Sequence, residues 1–236
     1  MTTAPSDPLP SGGPSRDEYV VLVDESVDPH VVVYHDPQCE AAEQYRCFRT
    51  QLLANFRESS PKVLIITSSV AKEGKSISTA NFGVALADLP GKRVCLVDGD
   101  LRKPFLDKVF GVFGRPGLAD YLSGDKEIDH VLYPVCMESL NLVPAGIEPR
   151  RAIDQLGSDR FQDLLVELRK RFDFVLIDTP PTELFSDSIV MGGQSDGILL
   201  ITRMQSTPRA AIERAIRRIE QAGGRVIGVF LVGAGT

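Results

Sequence analysis

Residues 62–104 constrain this chain more than any other stretch. They read as an apolar run (Val63-Leu64-Ile65-Ile66-Thr67), a loop of small residues ending Glu73-Gly74-Lys75-Ser76, a helix-compatible segment, and a second apolar run (Val94-Cys95-Leu96-Val97) leading into Asp98-Gly99-Asp100. A short continuous apolar run between turn signals fits a strand buried on both faces. A strand that passes through Gly-Lys-Ser into a helix makes an anion cradle. The first-turn amides lack intrahelical partners, the helix dipole favours negative charge there, and the lysine can reach terminal phosphates. The serine hydroxyl is a hard oxygen ligand of the kind magnesium takes.

Gly-Lys-Ser alone is a weak signal, and the strict phosphate-loop pattern would place glycine where Ser69 stands. A third apolar run, Phe174-Val175-Leu176-Ile177, strengthens it by ending in Asp178-Thr179-Pro180-Pro181. Open α/β sheets bind ligands at the carboxyl ends of their strands, which is where Asp98 and Asp178 fall. The competing reading is a glycine turn beside a solvated lysine, with two ordinary strand-end aspartates. Phosphoryl transfer is mainly positioning and charge neutralisation. Lys75 would neutralise the β and γ oxygens, with Lys72, Glu73, Gly74, Lys75, Ser76 and Ile77 forming the nucleotide cradle. Ser76 and at least one of Asp98, Asp100 and Asp178 would hold the metal, Asp98 and Asp178 being the principal candidates. Asp98 also stands where it could take a proton from a water or hydroxyl nucleophile. For Asp100 and Arg102 a local turn or salt bridge is the plain alternative.

The chain has 236 residues, 43% of them apolar and 25% charged, enough for one sizeable core. Residues 1–30 carry six acids against one base, −5 of the formal −6, so nothing points to nucleic acid. That acidic segment, rich in Pro, Ser and Gly over 1–18, is expected to be flexible, with the packed domain over 31–236. The four cysteines show no metal-ligand spacing, and Cys95 reads as a core thiol in a reducing cytosol. No run of eighteen apolar residues and no basic-then-apolar leader occurs, so neither a membrane span nor a signal peptide is expected.

Strands are expected at about 63–68, 93–97, 140–144, 173–177, 196–201 and 226–232. The intervening helices are expected near 75–89, 105–110, 117–122, 128–132, 158–171, 184–191 and 208–222. Continuously apolar strands with helices between them imply an α/β fold, a mostly parallel central sheet with helices on both faces. The apolar patches 19–23 and 31–34 read as edge strands or extended surface segments. Over 40–56, Ala41, Tyr45, Phe48, Leu52 and Phe56 recur at helical spacing, with Glu43, Arg46 and Arg49 along one flank. From spacing alone, those three charges are a solvated face.

The phosphate loop, the run Cys95-Leu96-Val97-Asp98-Gly99-Asp100-Leu101-Arg102-Lys103-Pro104, and Asp178-Thr179-Pro180-Pro181 together resemble the bacterial tyrosine autokinases of capsular and exopolysaccharide export. These belong to the deviant Walker A branch of P-loop NTPases, shared with chromosome-partitioning and division-site ATPases. The resemblance extends from about residue 36 to 231 and takes in Pro116 to Leu122, Leu142 to Gly146 and Asp187. It implies ATP or ADP with Mg2+, catalysis by Lys75, Asp98, Asp100 and Asp178, and phosphorylation of tyrosine. It also turns Glu43, Arg46 and Arg49 into a self-association motif on a helix at 41–58, building a ring or dimer. The implied partner is a transmembrane polysaccharide co-polymerase, which would hold the protein at the inner face of the membrane.

Three departures set expectations of their own. Lys72 replaces a loop glycine of the family, restricting the backbone if the site needs positive φ and adding a cation near the phosphates. Val232 stands where relatives commonly carry an adenine-recognising asparagine. The five tyrosines (Tyr19, Tyr34, Tyr45, Tyr121, Tyr133) are scattered rather than clustered at the C-terminus. The acceptor then lies on another chain or beyond this sequence. Otherwise the protein is a positioning-type ATPase that hydrolyses nucleotide, or a scaffold that only senses it.

Overall fold

A computed structural model describes residues 24–55 and 62–233. Its centre is a seven-stranded sheet in the order β3-β4-β2-β5-β1-β6-β7. The strands are β1 (Val63–Ser68), β2 (Val94–Asp98), β3 (Tyr133–Val135), β4 (Met137–Val143), β5 (Phe174–Asp178), β6 (Gly197–Arg203) and β7 (Val226–Val232). Only β3 is antiparallel; the other neighbours run parallel. This is the expected α/β architecture, and β1, β2 and β5 are buried along their whole length.

Alternation along the strands feeds two cores. Leu64, Ile66, Leu96, Leu142, Leu176 and Leu199 face one, beneath α1 (Val32–His35), α2 (Glu40–Asn55), α3 (Lys75–Ala87) and α4 (Leu106–Val109). Val63, Ile65, Val97, Val143, Ile177 and Ile198 face the other. That side is covered by α5 (Leu118–Leu122), α6 (Asp159–Arg171), α7 (Asp187–Gly192) and α8 (Arg209–Gln221). The amphipathic α6 starts at Ser158, whose hydroxyl accepts the Phe161 amide, and ends in Arg169, Lys170 and Arg171, the basic finish that its dipole favours. Nearly all of α3 is buried between α2 and the sheet, so Gly83 is needed; a Cβ there would meet the Leu96 side chain at 2.6 Å.

Some local expectations change. The patch at 31–34 contributes a short helix, not an edge strand. Val31 and Val33 are buried against the first core while the Val33 amide donates to Asn81 Oδ1, a bond no sheet edge supplies. The patch at 19–23 lies outside the described residues, as does Phe56. In α2 the inward residue of the first turn is Ala42, which is fully buried, whereas Ala41 is exposed. The hairpin strand β3 was not among the expected strands; its Pro134, which would break a central strand, is tolerated at the sheet edge. Val27 packs into the first core, so burial begins within the segment 1–30 expected to be flexible.

Candidate active site

The sheet order creates the site. β5 lies between β1 and β2, although it follows both in sequence, and Asp98 and Asp178 are register partners at adjacent strand ends. The loop after β1 therefore opens beside both aspartates.

Asp178 is the hub. Its Oδ1 accepts from Lys75 Nζ at 2.7 Å and from Thr79 Oγ1 at 3.3 Å, and its Oδ2 accepts from Ser76 Oγ at 2.5 Å. Asp178 is completely buried, and the Lys75 side chain is only 9% exposed. A buried carboxylate needs such partners, since an unpaired charge there would be strongly penalised. Asp100 Oδ2 lies 3.9 Å from the same Nζ, and burial raises its pKa, with Lys75 opposing that rise. Asp98 behaves differently. Its Oδ1 accepts the Asp100 amide, and its Oδ2 accepts the amides of Phe105 and Leu106 at 2.9 Å each, capping the first turn of α4. Burial, with the neighbouring Asp178 charge, pushes its carboxyl up to about 8. Asp100, rather than Asp98, lines the open cleft.

That cleft, about 400 Å³, is lined by the loop from Ala71 to Ile77 and by Asp100, Arg102, Lys103, Phe105, Pro181, Leu184 and Phe185. Lys72 holds φ +67° and Gly74 φ +81°, so the loop does require left-handed backbone where the lysine stands. Among the described residues, the amides of Lys72, Glu73 and Gly74 donate no hydrogen bond within the chain, leaving them available to an anion.

Sequence reasoning placed Glu73 in the cradle and missed what its side chain does. Glu73 is 2% exposed; it accepts the Val70 amide at 2.9 Å, the Arg203 amide at 3.2 Å and the Thr207 hydroxyl. It thereby pins the loop to the end of β6. Arg102 and Asp187, separately singled out in the sequence, form a two-point ion pair at 2.7 and 3.1 Å, and the guanidinium lies 4.2 Å from the Phe185 ring centre. Val232 packs behind the loop, 3.9 Å from where a Gly74 Cβ would be.

Glu43, Arg46 and Arg49 lie away from the cleft on α2. Arg46 donates to Pro37 O and to Glu43, whose side chain is 65% exposed. Arg49 is mostly buried within its own chain, donating to Ala85 O at 2.5 Å near the end of α3. Among the described residues no group of three or more His, Cys, Asp or Glu side chains is arranged to hold a metal ion. A metal in the cleft would rest on Ser76, a carboxylate and phosphate oxygens, the mixed hard-oxygen set that magnesium accepts.

A mostly parallel sheet with a Gly-Lys-Ser loop, a lysine on a buried strand-end aspartate and a free amide cradle define an ATP-binding P-loop NTPase domain. Residues 62–225 match the family model described as AAA domain. Over 196 residues the chain is 30% identical to the tyrosine-protein kinase CpsD of Streptococcus agalactiae, covering 82% of this chain and 83% of that protein. Over 193 residues it is 32% identical to the putative tyrosine-protein kinase EpsB of Ralstonia nicotianae, but spans only 26% of that protein's length (82% of its own). The kinase domain of Escherichia coli tyrosine kinase ETK superposes with a TM-score of 0.83 at 28% identity, over 90% of this chain and 84% of that one. The chain belongs to the bacterial tyrosine-kinase family within the P-loop ATPase superfamily.

Proposed function

We propose that this chain is the catalytic P-loop domain of a tyrosine kinase of polysaccharide export, transferring the γ-phosphoryl group of ATP to tyrosine. The observation that carries the reading is the convergence of Lys75, Ser76 and Thr79 on buried Asp178, with Asp100 beside the same lysine. Lys75 neutralises terminal phosphate oxygens, and the unpaired amides of residues 72–74 cradle the chain of phosphates. Ser76 and Asp178, with Asp98 or Asp100 nearby, would hold magnesium, whose charge offsets that of the β and γ phosphates. Asp100, in the cleft beside Lys75, would take the acceptor proton, while Asp98 behind it holds the turn into α4. The similarity to CpsD, a tyrosine-protein kinase, and EpsB, a putative one, supports tyrosine as the acceptor.

Self-association through α2 and activation by a transmembrane co-polymerase at the inner membrane face belong to the same reading. Glu43 is the exposed group for that contact, Arg46 is half-buried beside it and tied to Pro37 O, and Arg49 holds their helix in place. Among the described residues no helix is long and apolar enough to cross a membrane.

The decisive experiment incubates the protein with labelled ATP and magnesium. Phosphotyrosine on this chain, phosphotyrosine on a co-expressed membrane partner and released phosphate are scored separately. Lys75→Met is expected to abolish all three signals. Label on tyrosine supports the kinase reading, released phosphate alone replaces it with an ATPase, and unchanged turnover in Lys75→Met removes the site.

A further inference from the structure

The cleft has two unlike halves. One is the phosphate cradle with its lysine and carboxylates. The other is an apolar wall on the loops after β2 and β5, formed by Phe105, Pro181, Leu184 and Phe185. Phe105 is 37% exposed and Leu184 58%, so together they present a contiguous apolar surface to the cleft. The wall is nevertheless held in place. The Phe105 amide is bound by Asp98, the Leu184 and Phe185 amides reach Pro181 O, and Arg102, tied to Asp187, lies over the Phe185 ring.

Sheet order decides which ligand part meets this wall. Lys75 Nζ, which contacts terminal phosphates, leans toward Asp178 on β5 and Asp100 after β2. The rest of a nucleotide then runs the other way, toward β6 and β7, where Val232 packs behind Gly74. The apolar wall therefore stands at the phosphoryl-donating end, where the acceptor arrives. A water nucleophile gains nothing from an exposed apolar surface, whereas an aromatic ring does.

Resting on the kinase reading above, we infer that Phe105 and Leu184, backed by Phe185, form the acceptor subsite and seat the ring of a tyrosine on a separate polypeptide. The described tyrosines of this chain are engaged elsewhere. Tyr34, Tyr45 and Tyr133 use their hydroxyls in hydrogen bonds, and Tyr121 is buried beneath Arg160. In the transfer, the phenolic oxygen bonds to the γ-phosphorus as the bond from that phosphorus to the β–γ bridging oxygen breaks. ADP leaves with the electron pair, and the phenolic proton passes to Asp100, the carboxylate that lines the cleft beside Lys75. Phe105 and Leu184 act by positioning the ring.

The test uses a fluorescent peptide with a single tyrosine, bound to the protein in the presence of magnesium and a non-hydrolysable ATP analogue. Phe105→Ala and Leu184→Ala are each expected to weaken peptide binding about tenfold. Nucleotide affinity should change by less than about twofold, with Phe105→Leu and Leu184→Met restoring most of the loss. Replacing the peptide's tyrosine by phenylalanine should largely preserve binding, and replacing it by alanine should not. Unchanged peptide affinity in the alanine variants, an equal loss of nucleotide affinity, or no peptide binding at all would overturn the subsite. Transfer from labelled ATP to the peptide is measured in parallel. Binding without transfer would keep the subsite and remove the kinase reading; transfer with unaltered peptide KM in the variants would do the reverse.

Discussion

Replacing Lys72 by glycine separates two effects that this residue combines. Its φ of +67° puts an L side chain in the left-handed region, at a penalty of about 1–2 kcal/mol relative to a relaxed backbone. Glycine removes that penalty but gives the unfolded chain more freedom, an offset of about 0.5–1 kcal/mol. The net gain is about 0.5–1 kcal/mol, a rise in Tm of about 1–4 °C for a domain of this size. The same change removes an exposed cation from the cleft. In a high-dielectric setting one such charge near a phosphate contributes about 1 kcal/mol or less, so ATP affinity should fall by up to about fivefold at low salt. The two variants should converge on the parent as salt rises, because an exposed charge is screened. Lys72→Ala is the control, losing the charge while keeping the strain. It should match glycine in titrations with ATP by calorimetry and fall below it in thermal melts. Equal melting temperatures for the glycine and alanine variants would refute the strain argument.

Glu73→Ala strips the acceptors from the Val70 and Arg203 amides and the Thr207 hydroxyl. A loss of about 2–4 kcal/mol in urea unfolding is expected, and one under about 0.5 kcal/mol would show that the loop does not depend on this anchor. Glu43→Ala with Arg46→Ala should give a smaller particle by light scattering, with a stability loss of about 1 kcal/mol from the lost Arg46 bond to Pro37 O. Arg49→Ala should instead lower stability by about 1–3 kcal/mol, because its guanidinium caps Ala85 O. With the Asp98 carboxyl pushed up to about 8, first by burial and then by Asp178, the nucleotide-free folded protein binds more protons than the unfolded chain between about pH 4 and 8. Stability should therefore fall as pH rises through that window, and Asp98→Asn should flatten the dependence; a slope unchanged by that substitution would assign it to another group.

Much of this molecule is legible without coordinates, since the apolar runs at 63–68, 94–98 and 174–178 are too short for helices and too continuous for half-exposed strands. Gly-Lys-Ser opening α3, and an aspartate closing each of β2 and β5, follow from local chemistry alone. Tertiary structure decided what lies side by side. Lys75 and Asp178 are 103 residues apart and meet only because β5 enters between β1 and β2, an order that no local pattern encodes. The same holds for Arg102 on Asp187 and for Glu73 reaching Arg203 and Thr207, because a side chain's partner across a sheet edge leaves no periodic trace. Periodicity also misjudged the inward residue of the first turn of α2, where Ala41 and Ala42 are chemically alike and only packing distinguishes them. Residues 31–34 became a helical turn because Asn81 of α3 takes the Val33 amide, a preference set by the neighbour rather than by the valines.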